Sequence, residues 1–369
     1  MNILINASNL TKGGGLQVAH SFINELKFYL MYNFTIVVSN ELNEQIKKSE
    51  FPENFIFVVY SLRPSFFKAI FGCDIFLNNL EAQIKPDRVF TVFGPGYWKP
   101  KTKHIVGFAK PQYIYKESPF FQSLSIRDKY LLVLKKMLHL YNFKITSNVL
   151  ITETSDVTSK VQFLFPSKKV FTVSNNYNQI FDNAEDWDRS VKLPNFNGIT
   201  LLTITANYSH KNLKIIPEVI SVLNNNYPNF KYRFVLSITD KDLNISDDKI
   251  KNKIILIGKV TITQCPYLYQ QSDFMFLPTL LECFTASYPE AMKMEKPILT
   301  SNLSFSKDLC GSAAKYFNPM CAKDIAETIF SLAINKKEQE SLVRSGLHQL
   351  LKFDSARARV EKSIKIIKD

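Results

Sequence analysis

Two glutamates, Glu282 and Glu290, enclose seven residues in LLECFTASYPEAM, one residue after the apolar run FMFLP. The apolar run reads as a buried strand, which puts Glu282 in the loop at its carboxyl end. From Tyr288 onward the pattern is helical, so Glu290 falls in a first turn, where the partial positive charge of a helix start favours a carboxylate. Both carboxylates can then face a ligand held over a sheet edge. Free N–H groups around Thr285, Ala286 and Ser287 can meet anionic oxygens of that ligand. A helix-start glutamate following a solvated loop glutamate produces the same spacing without any ligand.

Lys211 is the cation that could answer them. It lies in Ser209-His210-Lys211-Asn212, within TITANYSHKNL, after a second strand-like run and at the opening of a helix. A lysine there can neutralise a diphosphate as a point charge, although a solvated first turn has the same look. Gly13-Gly14-Gly15 occupies the equivalent place after the strand-like start of the chain, before LQVAHSFINEL. Glycines let the backbone approach a ligand closely, and the following helix start suits an anion. The spaced glycines of a dinucleotide site are absent, and a plain strand-to-helix turn also accounts for the run. Gly94-Pro95-Gly96-Tyr97-Trp98 follows another strand end and either shapes an acceptor site on the same rim or is only a turn.

These residues need sheets to position them. Strand-like runs near Ile3–Asn6, Phe34–Val38, Phe55–Val59, Val89–Phe93, His104–Phe108, Val149–Thr152 and Val170–Val173 alternate with helical segments. The alternation restarts at Ile199–Thr205 and continues through Tyr232–Ser237, Ile254–Ile257, Phe274–Leu277 and Ile298–Thr300, with helices closing the chain. That is the pattern of an α/β chain with parallel sheets. The polar, acidic stretch FDNAEDWDRSVKLPNFNG reads as a linker. The expected organisation is an N-terminal domain over 1–180, a linker over 181–198 and a C-terminal domain over 199–351. Residues 352–369 are expected to form a helix free to pack back on the first domain. Two doubly wound domains would face each other across a cleft, with ligands beyond the carboxyl ends of their strands.

Composition bounds the function. The 369 residues are 46% hydrophobic and 13% aromatic, enough for two cores and against disorder. Cys73, Cys265, Cys283, Cys310 and Cys321 are odd in number and scattered, which argues against a disulfide framework or a zinc module and suits a reducing, cytosolic setting. Neither a signal peptide nor a run long enough to span a membrane is legible. The charge of +13 is local: between Lys101 and Val170, 12 Lys+Arg stand against 4 Asp+Glu, or +8. Within that segment SIRDKYLLVLKKMLHLYNFK reads as a helix mixing apolar residues with Arg127, Lys129, Lys135, Lys136 and Lys144. Such a helix can lie on an anionic bilayer; a core helix with solvated lysines is the alternative.

Taken in order, the glycine loop, the linker, the strand–HKN–helix and the strand–Glu–seven residues–Glu–helix resemble the retaining nucleotide-sugar glycosyltransferases of family 4, which have the GT-B fold of two Rossmann-like domains. The likeness is specific from about Ile199 to Phe317, including GKVTITQCPYLYQQSDFMFLPTLLECFTASYPEAM, and looser at GGGLQVAHSFINEL. GFAKPQYIYKESPFF is similar to members that build bacterial surface polysaccharides such as O-antigen and capsule. The resemblance implies that Lys211 contacts the donor diphosphate and offsets charge on the leaving nucleotide without an essential metal or other cofactor. It implies that Glu282 holds hydroxyls of the transferred sugar and Glu290 the ribose hydroxyls. The stretch around Asn212, Cys283 and Phe284, with amides near Thr285 and Ala286, would line the donor, and Gly258 to Val260 would border the base. Gly14 and Gly15 would approach the donor phosphate or the acceptor.

The chain departs from that family in places. Five residues before the lysine, where an arginine usually completes a two-cation clamp, stands Ala206; Arg63 and Lys110 are candidate replacements. Many members also place a histidine in the middle of the N-terminal domain near the sugar; here that region reads KPQYIY and His104 precedes it by several residues, so no catalytic histidine is assigned. Cys283 and Thr285 replace the glycines of the usual Glu-Gly-Phe-Gly. Asp186-Trp187-Asp188 has the Asp-x-Asp form of cation sites in the other large glycosyltransferase fold, but it lies in the acidic stretch and not after an apolar strand, so no metal site is expected. The expected activity is transfer of a sugar to a glycan or polyprenyl-diphosphate-linked acceptor, by a protein peripheral on the inner face of the cytoplasmic membrane. A GT-B-type sugar-nucleotide epimerase or hydrolase and a non-enzymatic polyanion binder are the competing expectations. Nucleic acid is not an expected partner, since no helix-turn-helix, RNA-recognition or zinc pattern is present.

Overall fold

The computed structural model describes residues 1–243, 245 and 247–369. The chain forms two compact units. The first comprises Met1–Lys116, Leu124–Asn175 and Asp354–Asp369; the second comprises Glu117–Ser123 and Asn176–Phe353.

In the first unit seven parallel strands run β1 (Asn2–Ala7), β2 (Asn33–Val38), β3 (Phe55–Val59), β4 (Arg88–Thr91), β5 (His104–Gly107), β6 (Val149–Thr152) and β7 (Lys169–Thr172), in the spatial order β3-β2-β1-β4-β5-β6-β7. The central strands are buried on both faces, which is why NILINA and HIVG carry apolar side chains on consecutive residues instead of alternating ones. Helix Gly14–Leu26 buries Leu16, Ala19, Phe22, Ile23 and Leu26 against one face. Val360, Ile364 and Ile367 of the terminal helix Ala356–Lys368 join the same core, so the chain end belongs to this unit. Fully burying each such side chain stabilises the fold by about 1.5–3 kcal/mol.

In the second unit six parallel strands, β8 (Ile199–Thr203), β9 (Tyr232–Leu236), β10 (Ile254–Leu256), β11 (Phe274–Leu277), β12 (Ile298–Ser301) and β13 (Ala314–Phe317), have the order β10-β9-β8-β11-β12-β13. In both sheets the order reverses beside the first strand, between β1 and β4 and between β8 and β11. Such a reversal leaves a crevice at the carboxyl ends where ligands bind in open α/β sheets.

Four features of the structure add to the sequence reading or decide between its alternatives. The edge strand β13 has no counterpart in that reading, because AKYF is short and only half-buried at Lys315 and Tyr316, and so carries no strand-like apolar run. The expected linker 181–198 is docked on the second unit instead. Phe181 is buried there, Val191 and Leu193 pack beside it, and the Gln271 side chain bonds the backbone of both Val191 and Leu193 at 3.0 and 2.8 Å. The rim loop Gly94–Trp98 turns its aromatics inward: Trp98 is buried with its indole N–H donating to Asn78 Oδ1 at 2.8 Å. The helix Ile126–Thr146 is no core helix, since only His139, Asn142, Phe143 and Thr146 are buried.

Candidate active site

Lys211 and Glu282 lie 71 residues apart in sequence, yet Lys211 Nζ sits 2.5 Å from Glu282 Oε1. They meet because β8 and β11 are neighbours and each loop leaves the same edge of the sheet. Their side chains are only 11% and 9% exposed. The loops are also joined by backbone, with Leu280 N–H donating to His210 O at 2.7 Å. Thr279, which the sequence reading leaves out, completes the arrangement: its hydroxyl lies 2.7 Å from Glu282 Oε1 and 3.2 Å from His210 O. Its one sequence signal is a hydroxyl directly after FMFLP. A buried ion pair of this kind survives because its charges and lone pairs are satisfied together. The pair therefore places one cation and one hydrogen-bonded carboxylate at the point where the strand order reverses.

His210, next to Lys211, is held towards its neutral form by burial, with Glu282 opposing that shift and Lys211 adding to it. Its ring stacks on Tyr208 at 5.6 Å. Asn212 adopts a left-handed conformation (φ 55°), and its side-chain amide donates to Pro319 O at 2.8 Å. That amide is thereby committed to the fold. Ala206 is exposed in the same loop. Arg63 and Lys110 belong to the first unit.

Glu290 is in the first turn of helix Ser287–Lys293, as its spacing predicts, but it is buried and takes the Tyr269 hydroxyl on Oε2 at 3.2 Å. Glu290 is thus as buried as Glu282. Burial pushes the Glu290 carboxyl from its ordinary 4.5 up to about 7, against the opposing bond from Tyr269. The native state then keeps a proton that the unfolded chain releases, so stability falls as pH rises from about 4.5 to about 7 and levels off above. Denaturant midpoints measured across that window should show a shallower fall in Glu290→Gln than in the wild type; parallel profiles would mean that Glu290 titrates normally.

Cys283 and Thr285 are buried, while Phe284 stands edge-on to Phe353 with ring centroids 5.9 Å apart. Gly258 has φ +71° and open space where a side chain would be, a backbone that favours glycine, and Val260 packs partly into the core nearby. In the first unit, Gly13 has φ 73° and caps helix Gly14–Leu26; Gly14 faces open space, whereas Gly15 is in ordinary contact with Leu10 and Phe93. His104 is buried between Thr91 Oγ1 and Thr146 O, and burial lowers it to about 4, so it serves the core. In Asp186-Trp187-Asp188, the Asp188 carboxylate accepts the Ser190 N–H at 2.8 Å and the Trp187 indole donates to Ile180 O at 2.9 Å.

Residues 186–349 match the family described as glycosyl transferases, group 1. No curated protein matches the chain in sequence. Its fold is similar to that of a glycosyltransferase from Rickettsia africae, at 15% identity and a TM-score of 0.69, covering 100% of this chain and 97% of that one. It is similar to Anabaena HepE, solved in complex with UDP and glucose, at 11% identity and a TM-score of 0.67, covering 100% and 99%. WaaG, a glycosyltransferase involved in lipopolysaccharide biosynthesis, shows 11% identity, a TM-score of 0.67 and the same coverage. The fold is GT-B, with two Rossmann-like parallel-sheet units, and the family match over the second unit supports a glycosyltransferase.

Proposed function

We propose that the protein is a retaining glycosyltransferase of the family 4 type. It moves a sugar from a nucleoside-diphosphate sugar to a glycan carried on a lipid diphosphate, in bacterial surface-polysaccharide synthesis at the inner face of the cytoplasmic membrane. The observation that carries this reading is the Lys211–Glu282 pair at the reversal point of the second sheet. An incoming diphosphate competes with Glu282 for Lys211. Once Lys211 turns to the phosphates, Glu282 is free to accept hydrogen bonds from the sugar hydroxyls while Thr279 keeps it oriented. The bond from the anomeric carbon to the diphosphate oxygen breaks with its electron pair on that oxygen, where Lys211 offsets the charge. An acceptor hydroxyl oxygen forms the new bond on the same face, and its proton passes to the departing phosphate. Glu290 takes the ribose hydroxyls, amides at Thr285 and Ala286 meet the sugar or phosphates, and Gly258 to Val260 border the base. Gly14 and Gly15 serve the phosphate or acceptor side. The test is a donor screen by calorimetry with UDP, GDP and their common sugars: micromolar binding of one nucleoside diphosphate supports the reading, and no binding of either overturns it. Donor turnover without any acceptor would favour a hydrolase or epimerase.

The membrane part of the proposal rests on the surface of the first unit. Helix Ile126–Thr146 exposes Ile126, Tyr130, Val133, Leu134, Met137 and Tyr141 among Arg127, Lys129 and Lys135, with Lys136 half-buried beside them. Helix Phe66–Phe71 is held to it by Asn142, whose amide donates to Lys68 O and Ala69 O, and it exposes Phe66, Phe67 and Phe71. Large exposed apolar patches rimmed by charge mark interaction surfaces, and basic residues among apolar ones suit anionic lipid. No helix among the described residues is long and apolar enough to cross a membrane, so the mode of attachment is peripheral in this reading. At about 1 kcal/mol per basic residue near an anionic surface, Lys135→Glu with Lys136→Glu should weaken binding to phosphatidylglycerol vesicles by roughly thirtyfold or more. Unchanged co-sedimentation would remove the membrane from the proposal.

A further inference from the structure

Residues Glu117–Ser123 belong to the second unit, although the flanking stretches Met1–Lys116 and Leu124–Asn175 belong to the first. The excursion is tightly turned. Pro119–Ser123 form a 3-10 helix, Phe120 N–H donates to Ser118 Oγ at 3.2 Å, and the Ser123 hydroxyl donates to Phe120 O at 2.8 Å. Ser118 and Phe120 dock it. Ser118 is buried and donates its hydroxyl to Leu280 O at 2.6 Å. Phe120 stands edge-on to the His210 ring, with centroids 6.4 Å apart.

Both contacts fall beside the charged pair. Leu280 lies two residues before Glu282, and His210 adjoins Lys211. The Leu280 peptide is held from both sides, its N–H by His210 O and its carbonyl by Ser118. The loop at Gly258, by contrast, follows β10 at the far edge of the sheet, and Glu290 is buried with Tyr269. The excursion therefore meets the end of the site assigned to the sugar and not the end assigned to the nucleoside.

We propose that Glu117–Ser123 is the sugar-reading wall of the donor site, an inference that rests on the donor reading above. Phe120 supplies ring surface for the apolar C–H face of a pyranose, and Ser118 acts as a positioning residue that fixes the Leu280 carbonyl and so the loop carrying Glu282. Sugar selection then lies in a segment whose neighbours in sequence all belong to the other unit.

The experiment compares binding of UDP and GDP with binding of UDP-glucose, UDP-N-acetylglucosamine, UDP-galactose and GDP-mannose, in the wild type, Phe120→Ala, Ser118→Ala and Ser118→Thr. The ratio of each sugar-nucleotide Kd to the Kd of its own nucleoside diphosphate isolates the sugar contribution. In Phe120→Ala that ratio should change by about tenfold and differently for different sugars, with nucleoside-diphosphate affinity held within about twofold. Ser118→Ala should move the ratio in the same direction and Ser118→Thr restore it. A uniform loss that includes UDP or GDP would overturn the proposal in favour of mere structural support, and unchanged ratios would overturn it outright. If Phe120→Ala does not fold, Phe120→Leu replaces it and is read by the same ratios. A wild type that binds neither UDP nor GDP defeats the donor reading itself, an outcome distinct from a wild type that binds while its variants keep every ratio.

Discussion

Glu282→Gln is expected to lower sugar transfer by about 10²–10³-fold, the cost of removing one preorganised polar group from a transition state, while nucleoside-diphosphate binding holds or tightens. The two effects have opposite signs for one reason. Glu282 Oε1 holds Lys211 in the unliganded protein, so a diphosphate must displace a carboxylate before it gains the lysine. The amide keeps the shape and the bond from Thr279 but releases the charge, which lowers that barrier to binding. The same change removes the carboxylate that would accept the sugar hydroxyls. Calorimetry with UDP or GDP beside a transfer assay resolves the two. Weaker nucleotide binding in Glu282→Gln would show that the carboxylate does not compete for Lys211. Glu282→Ala is the harsher variant: it leaves a buried lysine without its partner, a loss of about 3–5 kcal/mol in comparable pairs, so its melting temperature must be measured with its activity.

Lys211→Met is the second large effect. The methionine keeps the apolar stem packed and removes the charge. Transfer should fall by about 10²–10³-fold, and here nucleoside-diphosphate binding should weaken as well, because Ala206 offers no second cation in the same loop. That joint loss is the reverse of the Glu282→Gln pattern. Lys211→Arg restores charge but brings a planar fork to a space shaped for an ammonium, so partial recovery is expected. Full transfer activity in Lys211→Met would overturn the assigned role.

Much of this site is legible in the chain. FMFLP followed by Glu282, and TITANYSHKNL around Lys211, mark strand ends because a doubly buried strand must be apolar on consecutive residues and must stop at a polar loop. The first turn holding Glu290 is equally legible. Its burial against Tyr269 is not, since Tyr269 is on another helix and nothing in the local pattern links the two. Thr279 carries no periodic signal. Ser118 is 162 residues from Leu280, and the 117–123 stretch reads as an ordinary part of a basic, aromatic segment.

By itself, then, the sequence determined the alternation of strands and helices, the polar loops at the strand ends, and the local excess of positive charge, all of which follow from periodicity and composition over a few residues. The tertiary structure decided which loops are neighbours. Placing β8 beside β11 brings Lys211 and Glu282 within 2.5 Å, and packing the rest of the first unit leaves helix Ile126–Thr146 mostly exposed. Strand order and docking are set by the summed burial of distant surfaces, and that sum has no signature in any short stretch of chain.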